Sequence, residues 1–76
     1  MGEDGLSVWT VYDHPTDFPD DYVARRHVAT SKGSGPTGDI MRSQSLEAIR
    51  VELERMGLIR FDRAPEDHPH IIETWL

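Results

Sequence analysis

Cysteine is missing from this 76-residue chain, which excludes both a disulfide framework and a thiolate zinc site as braces for a small fold. No stretch approaches the roughly 20 apolar residues of a membrane span, and the opening "MGEDGLSV" lacks the basic and apolar segments of a secretory leader, so a cytoplasmic protein is expected. Basic residues are scarce: eight Lys and Arg stand against fourteen Asp and Glu, for a formal charge of −6. Neutralising phosphates needs clustered cations, so a nucleic-acid partner is not expected. Apolar residues make up only 37% of the chain, and a domain of this size buries about 60% of its unfolded surface. These limits imply one domain over residues 1–76, modest stability, a motive for self-association and no deep internal pocket. Residues 1–5 are expected to be disordered.

Signatures of chemistry are equally sparse. In "KGSGPTGD" the lysine precedes the glycines, so the Gly-Lys-Ser/Thr end of a phosphate loop is missing, and residues 31–38 read as a mobile loop. Neither G-x-S-x-G nor H-E-x-x-H occurs. No cofactor is expected, and the chain reads as non-enzymatic.

What is present is alternation. "LSVWTVY" (6–12) sets Leu6, Val8, Thr10 and Tyr12 on one face of a strand and Ser7, Trp9 and Val11 on the other. "YVARRHVAT" (22–30) alternates likewise, with Ala24, Arg26 and Val28 opposite Val23, Arg25 and His27, and should pair antiparallel with the first. Between them Pro15 and Pro19 impose a structured loop anchored by Phe18. From Ser45 the period becomes helical, with Leu46, Ile49, Leu53 and Met56 forming an apolar stripe. Ser43 or Ser45 serves as the N-cap, Glu47 suits the first turn and Gly57 the left-handed exit. Glu47/Arg50 and Arg50/Glu54 read as surface pairs. Residues 58–63 and 70–76 complete the set as strands. The predicted fold is α+β, a ββαββ antiparallel-rich sheet with one helix packed on one face. An extra short strand at "GDIMRS" (38–43) is the open alternative.

That alternative matters for a repeated tripeptide, Asp13-His14-Pro15 and Asp67-His68-Pro69. Four strands and a helix would leave the two copies at opposite ends; a further strand before the helix would bring them to the same end. Together, His14, His68 and His70 with Asp13 or Asp67 would offer nitrogen and carboxylate ligands suited to zinc or nickel. The simpler account is turn punctuation, in which Asp bonds nearby backbone N–H groups and Pro fixes the exit.

Charge is unevenly spread. Residues 1–21 carry six acids and no base, whereas residues 22–46 carry Arg25, Arg26, Lys32 and Arg42 against Asp39. The acidic loop with Asp13, Asp17, Asp20 and Asp21 is one candidate binding surface, and Arg25, facing out beside His27, another; Arg26 is expected to lie over the helix edge. The sheet face that the single helix leaves uncovered is the third. Trp9, Val11, Val23 and either Trp75 or Ile72 are expected to crowd it as interface residues, unless loops or chain ends fold over them.

The opening "WTVYDHPTDFPDDYVARR", the "SLEAIR" helix and the closing "HIIETWL" resemble a family of short uncharacterised bacterial and phage-associated proteins with a W-T-V-Y-D-H-P-like start and an E-T-W-L-like end. The likeness spans nearly the whole chain. It implies a small stand-alone domain and brings no activity or functional residue with it. The sequence therefore reads as a protein-interaction module, phage or mobile-element encoded, with an unknown protein partner or a second copy as occupant. The alternatives are an acidic nucleic-acid mimic of the anti-restriction or anti-CRISPR type and a metal-dependent enzyme built on His14, His68 and His70.

Overall fold

The structure is a computed structural model that describes residues 5–62 and 69–76. The two alternating segments form β1 (Leu6–Asp13) and β2 (Tyr22–Thr30), paired antiparallel with Trp9 opposite Arg26 and Val11 opposite Ala24. They are followed by β3 (Gly33–Ser43), α1 (Leu46–Arg55), β4 (Arg60–Asp62) and β5 (Ile71–Trp75). All neighbours are antiparallel in the order β3-β2-β1-β5-β4, and α1 packs on one face, giving an α+β fold.

β3 corrects the loop expected over residues 31–38. Its eleven residues include every glycine and the proline of that segment beyond the turn. Ser31 and Lys32 make the turn, closed by the Thr30 hydroxyl, which donates to the Gly33 carbonyl at 3.0 Å and accepts the Lys32 N–H at 3.2 Å. Pro36 is tolerated because β3 is an edge strand, where a missing N–H costs no ladder bond if it points outward. Gly38, at φ 92°, lies where the register shifts between Arg25 and His27, and the extra β3 residues form a bulge. Asp39 secures it: Arg26 donates to its carboxylate at 2.9 Å and Thr37 Oγ1 at 3.0 Å. The Arg26 hydrogen bond, aided by Thr37, holds the Asp39 carboxyl below its ordinary value. Arg26 also donates to Ser7 Oγ at 2.8 Å, so it lies on the helix side of the sheet.

The helix begins at Ser45, whose hydroxyl accepts the Ala48 N–H at 3.3 Å. It ends in a Schellman arrangement: Gly57 (φ 80°) donates to Glu54 at 2.9 Å and Leu58 to Leu53 at 3.3 Å. That exit corrects the expected stripe. Met56 becomes the C-cap and stays half exposed, while Leu58 folds back against the core in its place. Ile49 and Leu53 are the buried helix residues, set against Trp9, Val11, Ala24 and Trp75.

Among the described residues, one charge lies within this core. Glu73 of β5 is 1% exposed and stands opposite Val11. Arg50 of the helix donates to both its oxygens, at 2.7 and 3.1 Å, and the Trp75 indole donates at 2.8 Å. Arg50 is thus drawn inward rather than serving the surface pairs expected with Glu47 and Glu54. Burial opposes ionisation of Glu73, but the Arg50 hydrogen bonds, the Trp75 indole and the charges of Arg50 and Arg60 outweigh it and hold the carboxyl below its ordinary value. The bond to Glu73 in turn raises the Arg50 pKa.

Two outcomes follow. Leu53→Ala should cost about 2 to 5 kcal/mol in denaturant melts, since Leu53 has no exposed surface and its site is walled by two indoles; a loss under about 0.5 kcal/mol would refute this packing. Folding favours ionised Glu73, so its contribution is complete above the ordinary value of 4.5 and is lost as pH falls through the lower folded value. Glu73→Gln should cost about 1 to 3 kcal/mol near neutrality, because it removes the counter-charge of Arg50, which at 28% exposed is only partly solvated. The gap from the parent chain should narrow on acidification below that value; a gap constant down to about pH 3 would show that the ionised pair is not its source.

Candidate functional site

The register assigns every strand residue to a side. Tyr12 is opposite Val23, Thr10 opposite Arg25 and Thr74, and Thr74 opposite Phe61. These side chains lie on the face away from the helix. Val23 is wholly buried there and does not belong to the helix-side cluster. Its cover is the β1–β2 connection, which turns twice, with Phe18 N–H donating to the Pro15 carbonyl at 2.9 Å and Asp21 N–H to that of Phe18 at 3.2 Å. The Phe18 ring is met by the Arg42 guanidinium at 4.6 Å and the Arg25 guanidinium at 5.8 Å, and Arg25 also lies 5.7 Å from the Tyr12 ring. Asp17 pairs with Arg25, whose hydrogen bond holds its carboxyl below the ordinary value, and Asp21 lies 3.9 Å from Arg42. The acidic loop is therefore clamped to the sheet by the two arginines beneath it.

Beside this clamp lies an open cleft of about 800 Å³, lined by Tyr12, Thr16, Asp17, Arg25, His27 and His70, with Pro15, Pro36 and Ile71 as its apolar walls. Beyond the cleft the same face becomes apolar. Leu6, Ile59, Phe61 and Leu76 keep between 41 and 65% of their surface exposed. Ile59 and Leu76 exchange backbone hydrogen bonds at 2.9 and 3.0 Å, which extends the β4–β5 ladder by one pair. The β1–β5 register carried one step past Trp9–Trp75 sets Val8 against Leu76. Two rows result, Thr10–Thr74–Phe61 and Val8–Leu76–Ile59, with Leu6 at their end.

The residues expected on this surface are distributed otherwise. Trp9, Val11 and Trp75 are buried beneath α1, a correction that follows from parity: Trp9 and Val11 share the side of Ala24, which the helix covers. Ile72, the other candidate, also packs toward the helix, because the register shift in β5 leaves it without a β1 partner and sends Ile71 to the open side opposite Tyr12. Arg25 faces the open side beside His27, as expected. Of the loop acids, Asp17 and Asp21 engage arginines, Asp13 pairs with the His14 ring, and Asp20 is exposed. The exposed quartet was within reach of the alternation in "LIRFDR", which places Ile59 and Phe61 together, but alternation does not say which set meets the helix.

β3 also decides the fate of the repeated tripeptide. The added strand reverses the direction of the helix, and the chain returns to the end where it left β1: Asp13 N–H donates to the His70 carbonyl at 2.7 Å, and His70 Nδ1 donates to the Asp13 carbonyl at 3.2 Å. Asp67 and His68 lie outside the described residues. His14 takes a left-handed backbone, φ 51°, its N–H donating to the Asp21 carbonyl at 3.0 Å and its ring edge-on to Tyr22. Its Nδ1 contacts the Asp13 carboxylate, so Asp13 serves the ring beside it rather than the backbone two residues on. Among the described residues no three His, Asp or Glu side chains converge as a metal set.

Zinc or nickel should leave the melting temperature within about 1 °C, since a ligand stabilises only by binding the folded state preferentially; a rise of several degrees that vanishes in His70→Ala would reinstate a metal site. No protein-family model matches the chain, and comparisons with curated proteins and with solved structures find no match.

Proposed function

We propose that this chain is a non-enzymatic protein-interaction module whose docking surface is the half of the sheet face left open by both the helix and the β1–β2 loop. The observation that carries the reading is the concentration of Leu6, Ile59, Phe61 and Leu76 on that one surface. The second face of an antiparallel sheet is ordinarily polar where it meets water. Here the rows hold threonine, aliphatic residues and Phe61, and contiguous exposed apolar area of that kind marks interaction sites. Charge supports the same reading. The outward strand residues Leu6, Val8, Thr10, Tyr12, Val23, Arg25, His27, Ala29, Phe61, Ile71 and Thr74 include no carboxylate, although the chain has fourteen.

Phe61→Lys places a charge on this surface, on the edge strand β4, without touching the core, as Phe61 is half exposed. The variant should melt within a few degrees of the parent chain, surface substitutions usually falling within about 0.5 kcal/mol. It should lose the associations of the parent, because a half-exposed aromatic that becomes buried as an interface anchor is commonly worth about 2 kcal/mol or more. Sedimentation of the purified chain and recovery of bound proteins from native extract read this directly. Retention of every association by Phe61→Lys and by Ile59→Lys would overturn the assignment of the surface.

A further inference from the structure

We infer that the occupant of the open sheet face is a second copy of this chain, in a two-fold, sheet-on-sheet dimer with the helices outward. The inference rests on the docking reading and adds the partner. Shape makes the first argument. Five strands at about 4.8 Å spacing make a face about 24 Å across. A partner helix, about 10 Å wide, would leave more than half of it wet. A second sheet of the same width and the same right-handed twist covers it, since stacked sheets of like twist pack face to face at about 10 Å with their strands near −30°. Strands of eight and nine residues at about 3.4 Å rise give the face a projected area of about 600 Å² or more. With the loop end set aside, about half of that remains, below the roughly 600 Å² per partner at which standard interfaces begin, so the pairing describes a weak, dissociable dimer rather than an obligate one.

Charge makes the second argument. Two copies with a formal charge of −6 repel, so self-pairing needs a surface from which the acids have been removed. Among the described residues this face meets the condition. Its two arginines, Arg25 and Arg42, are balanced by Asp17 and Asp21, and the rows Thr10–Thr74–Phe61 and Val8–Leu76–Ile59 carry no charge. Glu47 and Glu54 of the helix and Asp62 opposite Glu73 lie on the other side of the sheet. A two-fold contact is self-complementary by construction, and a neutral surface of threonine, aliphatic residues and Phe61 satisfies that without a matching set of opposite charges. An axis that sets the strands of the two copies antiparallel carries the two acidic loops to opposite ends.

Sedimentation equilibrium of the full chain over about 1 to 100 µM, the range of weak dissociation constants, should show a monomer–dimer equilibrium. Phe61→Lys and Ile59→Lys should each weaken it by about 30-fold or more at unchanged melting temperature. Raising the salt from about 0.05 to 0.5 M should favour the dimer by screening the like charges. A parent chain that stays monomeric throughout overturns self-pairing; the docking reading then stands or falls separately, on whether Phe61→Lys loses proteins recovered from extract. A dimer that survives both lysine variants but dissociates in Ile40→Lys, on the exposed edge strand β3, overturns the inference in favour of edge pairing.

Discussion

The buried carboxylate of Glu73 constrains everything around it. An ionised group with 1% of its surface exposed is tolerable only where a cation and further donors meet it, and Arg50 and the Trp75 indole supply both. Arg50 sits on the helix, Glu73 and Trp75 on β5, so the pairing fixes the rotation of α1 about its axis and its position along the sheet. With Arg50 directed to Glu73, Ile49 and Leu53 fall against Trp9, Val11 and Trp75. The shift in β5 that leaves Ile72 unpaired lets Ile72 join Glu73 on the helix side.

A single ten-residue helix committed to one face leaves the other to be managed without secondary structure. The β1–β2 loop manages part of it. Phe18, held by two guanidinium groups, and the buried Pro15 close over the end where Val23 lies, and two ion pairs keep the loop down. Four acids within nine residues, which look in sequence like a free charged surface, are in large part the counter-charges of Arg25 and Arg42. The loop stops short of the Phe61 end of the sheet, which no other described element covers. That division gives the molecule two unlike regions on one face, a polar cleft against the loop and an apolar surface at the far end.

β3 shows how edge position changes the meaning of composition. Three glycines and a proline would disrupt a central strand, yet at an edge the proline need not donate and a glycine can absorb the bulge. The consequence is topological. One added strand makes the number of reversals odd, which brings His70 back to Asp13 at the same end of the sheet.

The sequence by itself determined the elements whose signal is local. Alternation defined β1, β2 and the partners of each face; the three-and-four spacing of Leu46, Ile49 and Leu53 defined the helix; Ser45 and Gly57 marked its ends; and the alternation of β2 sets Arg25 beside His27 on one face. Period-two alternation says which residues travel together but is symmetric about the sheet plane, so it does not say which side the helix covers or that Trp9, Val11 and Trp75 lie beneath it. Only the tertiary structure decided that, because the choice rests on the contact between Arg50 and Glu73, 23 residues apart, and on sheet order rather than on any local preference. The same long-range choice left Leu6, Ile59, Phe61 and Leu76 outside, three segments of chain that no short window joins and that become one surface only when β5 is inserted between β1 and β4.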